Sequence, residues 1–186
     1  MKRTFDIALA IVVGIVLLAP FAVIALLVRL TSRGPALHWS DRIGRYNRTF
    51  RMPKFRTMLI DTPVVATHLL TGARSHLTPL GGFLRRTSLD EVPQLWSVLR
   101  GDMSFVGPRP ALFNQSDLIA LRTEQGIHEL VPGVTGWAQV NGRDTLSIAD
   151  KVRLDAEYLR TRSTWLDLRI LIRTVRPVVR SEGVSH

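Results

Sequence analysis

The residues best suited to do chemistry lie together in "RRTSLDEVPQLWSVLRGDMSFVGPRPAL", positions 85–112. Asp90 and Glu91 are adjacent carboxylates between Arg85-Arg86 and a Gly-Pro-Arg-Pro loop that carries Arg109. Two readings of the acid pair stand side by side. In the first, "SLDE" is a capping box, with Ser88 as the cap and Glu91 reaching back from the third helical position. Pro93 favours a slightly later start, with Asp90 itself as the cap. In the second, the same helix start favours anions, keeps Asp90 ionised and lets a phosphate dock nearby. An ionised aspartate can attack phosphorus and form an aspartyl phosphate. A phosphorylated substrate would repel that carboxylate, so the site needs cations. Arg85 and Arg109 supply two-pronged contacts, and a Mg2+ held by carboxylate and phosphate oxygens would neutralise the rest. Pro108 and Pro110 restrict the backbone around Arg109, which suits a preorganised contact.

Other candidates carry less. Asn141-Gly142-Arg143 is a turn signal, and Arg143 either points to solvent or holds phosphate. Asp102 follows Gly101, a helix stop, and reads as a turn residue. The five histidines show no metal-ligand spacing, and P-loop, GxGxxG, nucleophile-elbow and zinc signatures are all missing. With no cysteine, disulfide frameworks and thiolate metal sites are excluded.

The elements that must position these residues begin with an apolar segment. At 186 residues the chain is one domain able to bury a core, and its net charge of +10 asks for a polyanionic partner. Composition does not choose between nucleic acid, an anionic membrane surface and a phosphorylated substrate. Ile7 to Val28 is apolar except for Gly14 and Pro20, about the length that crosses a bilayer. Lys2-Arg3 resembles the charged start of a secretory signal, but the run is long for one and no A-x-A-like site follows. Lys2 and Arg3 precede the run; Arg29, Arg33, Arg42, Arg45, Arg48, Arg51, Lys54 and Arg56 follow it. Both flanks therefore ask for the cytoplasmic side. Either the helix bends near Ala19-Pro20 and leaves by the face it entered, or a straight span tolerates the proline.

Beyond the anchor, basic residues alternate with Trp39, Tyr46, Phe50 and Phe55, which suits a layer beside lipid headgroups and also single-stranded nucleic acid. Short extended pieces are expected around His38–Ser40 and Thr49–Met52, a short helix and loops over 61–80, and a helix start near Ser88–Glu91 with Gly101 as its stop. Helices are also expected over Gln115–Gln125, Ile148–Arg160 and Trp165–Val179. In the last, Arg169, Arg173, Arg176 and Arg180 oppose Leu168, Leu171, Ile172, Val175 and Val179. That is either a solvated face over a core or a helix lying in the membrane plane.

Through "KRTFDIALA", "PKFRTM", "RRTSLDEVPQLWSVLRGDMSFVGPRP", "VPGVTGWAQVNGR" and "LDAEYLRTRSTWLDLRIL", the chain resembles the monotopic phosphoglycosyl transferases. These bacterial sugar transferases begin glycoconjugate assembly on polyprenol phosphate. The resemblance implies a mainly α fold with minor β. Residues 1–30 form a re-entrant membrane helix broken at Pro20; residues 31–186 form a small cytoplasmic catalytic domain with interfacial amphipathic helices. Relatives often carry Ser-Pro at the break, and Ala19 here removes that hydroxyl.

The implied reaction has two steps. Asp90 attacks the β-phosphorus of a UDP-sugar and releases UMP. Polyprenol (undecaprenyl) phosphate then takes the phosphosugar, giving polyprenyl-diphosphate-sugar. Glu91 completes the catalytic dyad, Mg2+ is the cofactor with Asp90 as its ligand, and Arg109 and Arg85 bind phosphate, with Arg143 a third candidate. The expected setting is the cytoplasmic face of the bacterial inner membrane, among its lipids, without nucleic acid and with room for a homodimer. A nucleic-acid surface fits poorly because phosphate-tracking surfaces exclude carboxylates. A soluble nucleotide-sugar hydrolase conflicts with the apolar segment. The sugar, a hexose or an N-acetylated amino sugar, is left open.

Overall fold

The apolar run folds as two helices, α1 (Lys2–Val16) and α2 (Leu18–Thr31), bent by 63°. The computed structural model describes residues 2–63, 73–142 and 145–180. Pro20 causes the bend: it has no N–H, and its ring crowds the carbonyl four residues back, that of Val16, where α1 ends. The break therefore falls at Leu17, nearly one turn before the expected Ala19-Pro20. Hydrogen bonds on both sides persist, Leu17 N–H to the Val13 carbonyl (2.9 Å) and Phe21 N–H to the Leu17 carbonyl (2.8 Å). Among the described residues no single helix is long and apolar enough to cross a membrane, whereas the bent pair together has that length and composition.

One side of each helix packs on the body. Ala10 joins Met52, Val98 and Met103, while Val28 joins Phe55 and Leu84, with the Phe21 ring 4.9 Å from Phe55. Ile11, Val12, Ile15, Val23, Leu26 and Leu30 stay exposed. Polar residues of the first two turns fasten α1 at its start. Lys2 Nζ donates to the Val106 carbonyl (2.9 Å) and to the Tyr158 hydroxyl (3.0 Å), and Asp6 accepts the Phe105 N–H (3.1 Å).

The two expected extended pieces pair as a hairpin of β1 (Leu37–Ile43) and β2 (Thr49–Phe55), each longer than its alternation suggested. Its register sets His38 opposite Lys54, Ser40 opposite Met52 and Arg42 opposite Phe50, so these six share one face. Helix α3 (Gly81–Thr87), a 3-10 turn (Leu89–Gln94) and α4 (Leu95–Arg100) follow. Gly101 ends α4 as expected: at φ 94° it sends its N–H to the Ser97 and Val98 carbonyls, each at 3.1 Å.

Strand β3 (Ser104–Val106), helix α5 (Ser116–Glu124) and strand β4 (Gly133–Thr135) come next. The parallel pairing of β3 with β4 has no counterpart in the sequence reading, because three-residue strands show no periodicity. Glycine permits the approach. A Cβ on Gly133 would lie 2.1 Å from the Gly107 nitrogen, and one on Gly136 2.1 Å from its carbonyl oxygen. Bonds from Ser104 N–H to the Pro132 carbonyl and from Gly107 N–H to the Thr135 carbonyl, both 2.9 Å, tie the two loops together.

Helices α6 (Trp137–Val140), α7 (Ile148–Thr161) and α8 (Thr164–Arg180) complete the chain. The side-chain helix cap the sequence offered at Ser88 occurs instead at Ser147, whose hydroxyl accepts the Asp150 N–H at 3.1 Å. In α8 the apolar residues divide. Ile170 is fully buried against the central core of Val106, Ile127, Val152 and Tyr158, whereas Trp165, Leu168 and Ile172 form an exposed apolar stripe.

Candidate active site

Ser88 is the hinge on which the site is built. It takes a left-handed conformation (φ 57°, ψ 16°) as the stop of α3, and its side chain makes no capping bond. Pro93 has no N–H to offer the Leu89 carbonyl, so the chain tightens into a 3-10 turn rather than opening an α-helix. The expected capping box and helix-start anion site are thus both replaced. Asp90 and Glu91 sit on a short, tight turn, pressed against β2.

Lys54 of β2 serves both carboxylates. Its Nζ lies 2.7 Å from Glu91 Oε1 and 3.8 Å from Asp90 Oδ2. Arg109 Nη2 donates to the same Glu91 oxygen at 2.7 Å. Glu91 therefore makes the two close cation contacts, and Asp90 a longer one to Lys54. Burial opposes ionisation of Glu91, but Arg109 and Lys54 together outweigh it and hold the carboxyl well below the usual range. Asp90 goes the other way. Its burial pushes the carboxyl up and the charge of Glu91 adds to this, against the pull of Lys54, Arg109 and Arg85. The expected helix-start setting of Asp90 is corrected accordingly: it sits on the 3-10 turn, where burial makes its ionised form the costlier of the two.

Arg85, in the last turn of α3, donates from Nε to Thr57 Oγ1 at 3.0 Å and is close enough to favour the Asp90 anion. Arg42 of β1 shares the face of Lys54; it donates from Nε to Ser40 Oγ (3.0 Å) and from Nη1 to the Pro110 carbonyl (3.3 Å). Burial, with Arg109 nearby, pulls Arg42 down to about 10, opposed by Glu91. Among the described residues four cations thus surround two carboxylates, a balance that suits a phosphorylated ligand. Arg143 lies outside the described residues. In the linear sequence Lys54 and Arg42 read only as basic flanks of the apolar segment. Their signal is positional, since alternation along two strands sets them on the face that meets the acid pair.

Among the described residues no group of three or more His, Cys, Asp or Glu is placed to hold a metal ion. A divalent ion such as Mg2+ asks for less, one or two carboxylates with phosphate oxygens completing its shell, and Asp90 offers a hard-oxygen donor of that kind.

The family model described as bacterial sugar transferase matches residues 1–181. The chain is 41% identical over 192 residues to the uncharacterized sugar transferase EpsL of Bacillus subtilis, covering 100% of this chain and 91% of EpsL. It is 39% identical over 183 residues to the UDP-glucose:undecaprenyl-phosphate glucose-1-phosphate transferase of Escherichia coli, covering 94% of this chain and 39% of that protein. It is 34% identical over 189 residues to the UDP-N-acetylgalactosamine-undecaprenyl-phosphate N-acetylgalactosaminephosphotransferase of Aeromonas hydrophila, covering 98% and 44%. The chain thus spans nearly all of EpsL and less than half of the two longer relatives. With the match running from the bent helix pair through α8, the chain belongs to the bacterial sugar transferase family.

Proposed function

We propose that this enzyme transfers a phosphosugar from a UDP-sugar to polyprenol phosphate through a covalent intermediate on Asp90. The observation that carries the proposal is the division of the acid pair. Glu91 is locked as an anion by Lys54 and Arg109, while Asp90 faces Lys54 at 3.8 Å, beyond hydrogen-bond distance. A carboxylate with a raised pKa is the more nucleophilic once ionised, and the surrounding Lys54, Arg109 and Arg85 favour that ionised form.

In the first step an Asp90 oxygen bonds the β-phosphorus, and UMP leaves with the bridging oxygen. In the second, an oxygen of polyprenol phosphate bonds the same phosphorus and the Asp90 carboxylate departs, yielding polyprenyl-diphosphate-sugar. Arg109 and Arg85 hold phosphate oxygens, while Glu91 keeps Lys54 and Arg109 in place. Asp90 together with the donor phosphates would hold Mg2+, which supplies charge neutralisation at the diphosphate.

The names of the Escherichia coli and Aeromonas hydrophila relatives, both acting on undecaprenyl phosphate, support the lipid acceptor. They carry different sugars, so a hexose and an N-acetylated amino sugar both stay eligible. The exposed apolar side chains of α1 and α2, with the Trp165, Leu168 and Ile172 stripe, favour a monotopic seat. We place that seat on the cytoplasmic face of the bacterial inner membrane. Residues 1–30 would enter the bilayer while 31–186 form the catalytic body. Because Ala10 and Val28 are buried in that body, the two parts act as one unit.

The test is direct. Incubation with a panel of UDP-sugars and no polyprenol phosphate should leave a phosphosugar on the peptide containing Asp90, read by intact and peptide mass spectrometry. An Asp90→Asn enzyme that still turns over, with no adduct on the parent, refutes the covalent mechanism.

A further inference from the structure

We propose that Arg122 and Asp155 are positioning residues for Arg109, forming a buried strut that fixes the Pro-Arg-Pro loop from behind. The inference rests on the reading of Arg109 as a phosphate ligand. Arg122 Nη1 donates to the Arg109 carbonyl at 2.8 Å, while its Nε and Nη2 donate to Asp155 Oδ2 at 3.0 and 2.6 Å. Every nitrogen of the guanidinium is thus engaged. The side chains are 11% and 1% exposed, so the contact is shielded from water.

The strut joins three separate pieces of chain. Arg122 comes from α5, Asp155 from α7, and the carbonyl they hold belongs to the loop between β3 and α5. Opposite, Arg42 Nη1 reaches the Pro110 carbonyl and Ile43 N–H the Ala111 carbonyl at 2.9 Å. The backbone around Arg109 is gripped from both sides, leaving its side chain to be aimed at Glu91.

Stability alone accounts poorly for such a pair. A buried ion pair is commonly no more stabilising than apolar residues of similar volume. Here burial pushes the Asp155 carboxyl up even with Arg122 against it. Geometry accounts for it better. A planar guanidinium can meet a carboxylate along one edge and present a further donor in a fixed direction, which a single ammonium cannot do.

The experiment is a kinetic cycle on the full chain, reading UMP release with a UDP-sugar and polyprenol phosphate, alongside thermal melting. The paired replacement Arg122→Met with Asp155→Leu removes the strut while filling its volume. Its melting temperature should match or exceed the parent, yet kcat/KM should fall on the order of 10-fold, below the 10²-fold that a 1 Å misplacement can cost. Added to Arg109→Lys, the same replacement should cause little further loss, because the group it positions is already impaired. Parental kinetics in the folded paired variant, or an equal loss on both backgrounds, overturns the proposal. If the paired variant fails to melt cooperatively, Arg122→Lys, which keeps a charge against Asp155, replaces it in the cycle, and the same kinetic outcomes support or overturn the strut. A silent Arg109→Lys would instead bring down the phosphate reading itself, and the strut with it, a result distinguishable from loss of the strut alone.

Discussion

Replacing Glu91 with glutamine keeps the shape of the side chain and removes the one charge that Lys54 and Arg109 share. The Lys54–Glu91 contact joins side chains 16% and 17% exposed, so neutralising it costs about 2 kcal/mol, within the range for hydrogen bonds to charged groups. Arg109 is 42% exposed, and screening limits its share to about 0.5 kcal/mol. At roughly 2–4 °C per kcal/mol for a chain of this size, the melting temperature should drop by roughly 5–10 °C.

The pH dependence has a definite sign. The folded pKa of Glu91 lies below its ordinary value of 4.5, so this stability is fully present above 4.5 and is lost only as pH falls through the depressed value. Differential scanning fluorimetry of parent and variant in the same detergent should therefore show a constant gap from neutral pH down to about 5, narrowing only in stronger acid. The gap should also survive about 1 M salt, where the screening length is near 3 Å, because the pair is largely shielded. A gap under about 1 °C, or one that collapses in salt, would show that Glu91 is a surface charge rather than the anion that organises the site.

Asp90→Asn should abolish turnover yet raise the melting temperature at pH 7. Burial raises the folded pKa of Asp90 above its ordinary 3.8, so the folded state carries a penalty for the ionised form that is full above the folded value and absent below 3.8. The gain should therefore vanish in acid, and a variant less stable than the parent at pH 7 counts against this assignment. Arg109→Lys should lower kcat/KM on the order of 10²-fold, as loss of a preorganised donor does, with near-parental kinetics excluding a phosphate contact. Because the chain has no cysteine, single cysteines introduced near residues 3 and 35 are unique labels; both should react from the cytoplasmic side, and labelling from opposite sides excludes the re-entrant helix. Chelation by EDTA should stop UMP release, with restoration by Mg2+; full activity in EDTA removes the metal from the reaction.

Much of the candidate site is legible in the linear order because it is local. The acid pair, Arg85 and the Pro-Arg-Pro loop occupy one stretch, and Gly101 marks the helix stop that separates them. The corrected expectations are also local in origin. "SLDE" satisfies the capping-box pattern, but Ser88 is already committed to ending α3, and Pro93 denies the following turn an α-helical bond. Two demands on one residue cannot be ranked from spacing alone. Lys54 and Arg42 escape a sequence reading as site residues because their relevance depends on hairpin register and on which face meets the 3-10 turn.

The linear order alone carries the apolar run with its internal proline, the identity of the two carboxylates and the excess of positive charge around them. Those follow from a proline's position, from hydrophobic runs and from counting charges, all properties of neighbours in the chain. Packing of distant segments settles whether that run bends and which carboxylate the cations lock. Lys54 and Arg109, respectively 37 and 18 residues from Glu91, converge on one of its oxygens. The same folding buries Asp90 and leaves Lys54 at 3.8 Å from it. A pKa is set by burial and by charges a few ångströms away, and neither exists until distant segments pack.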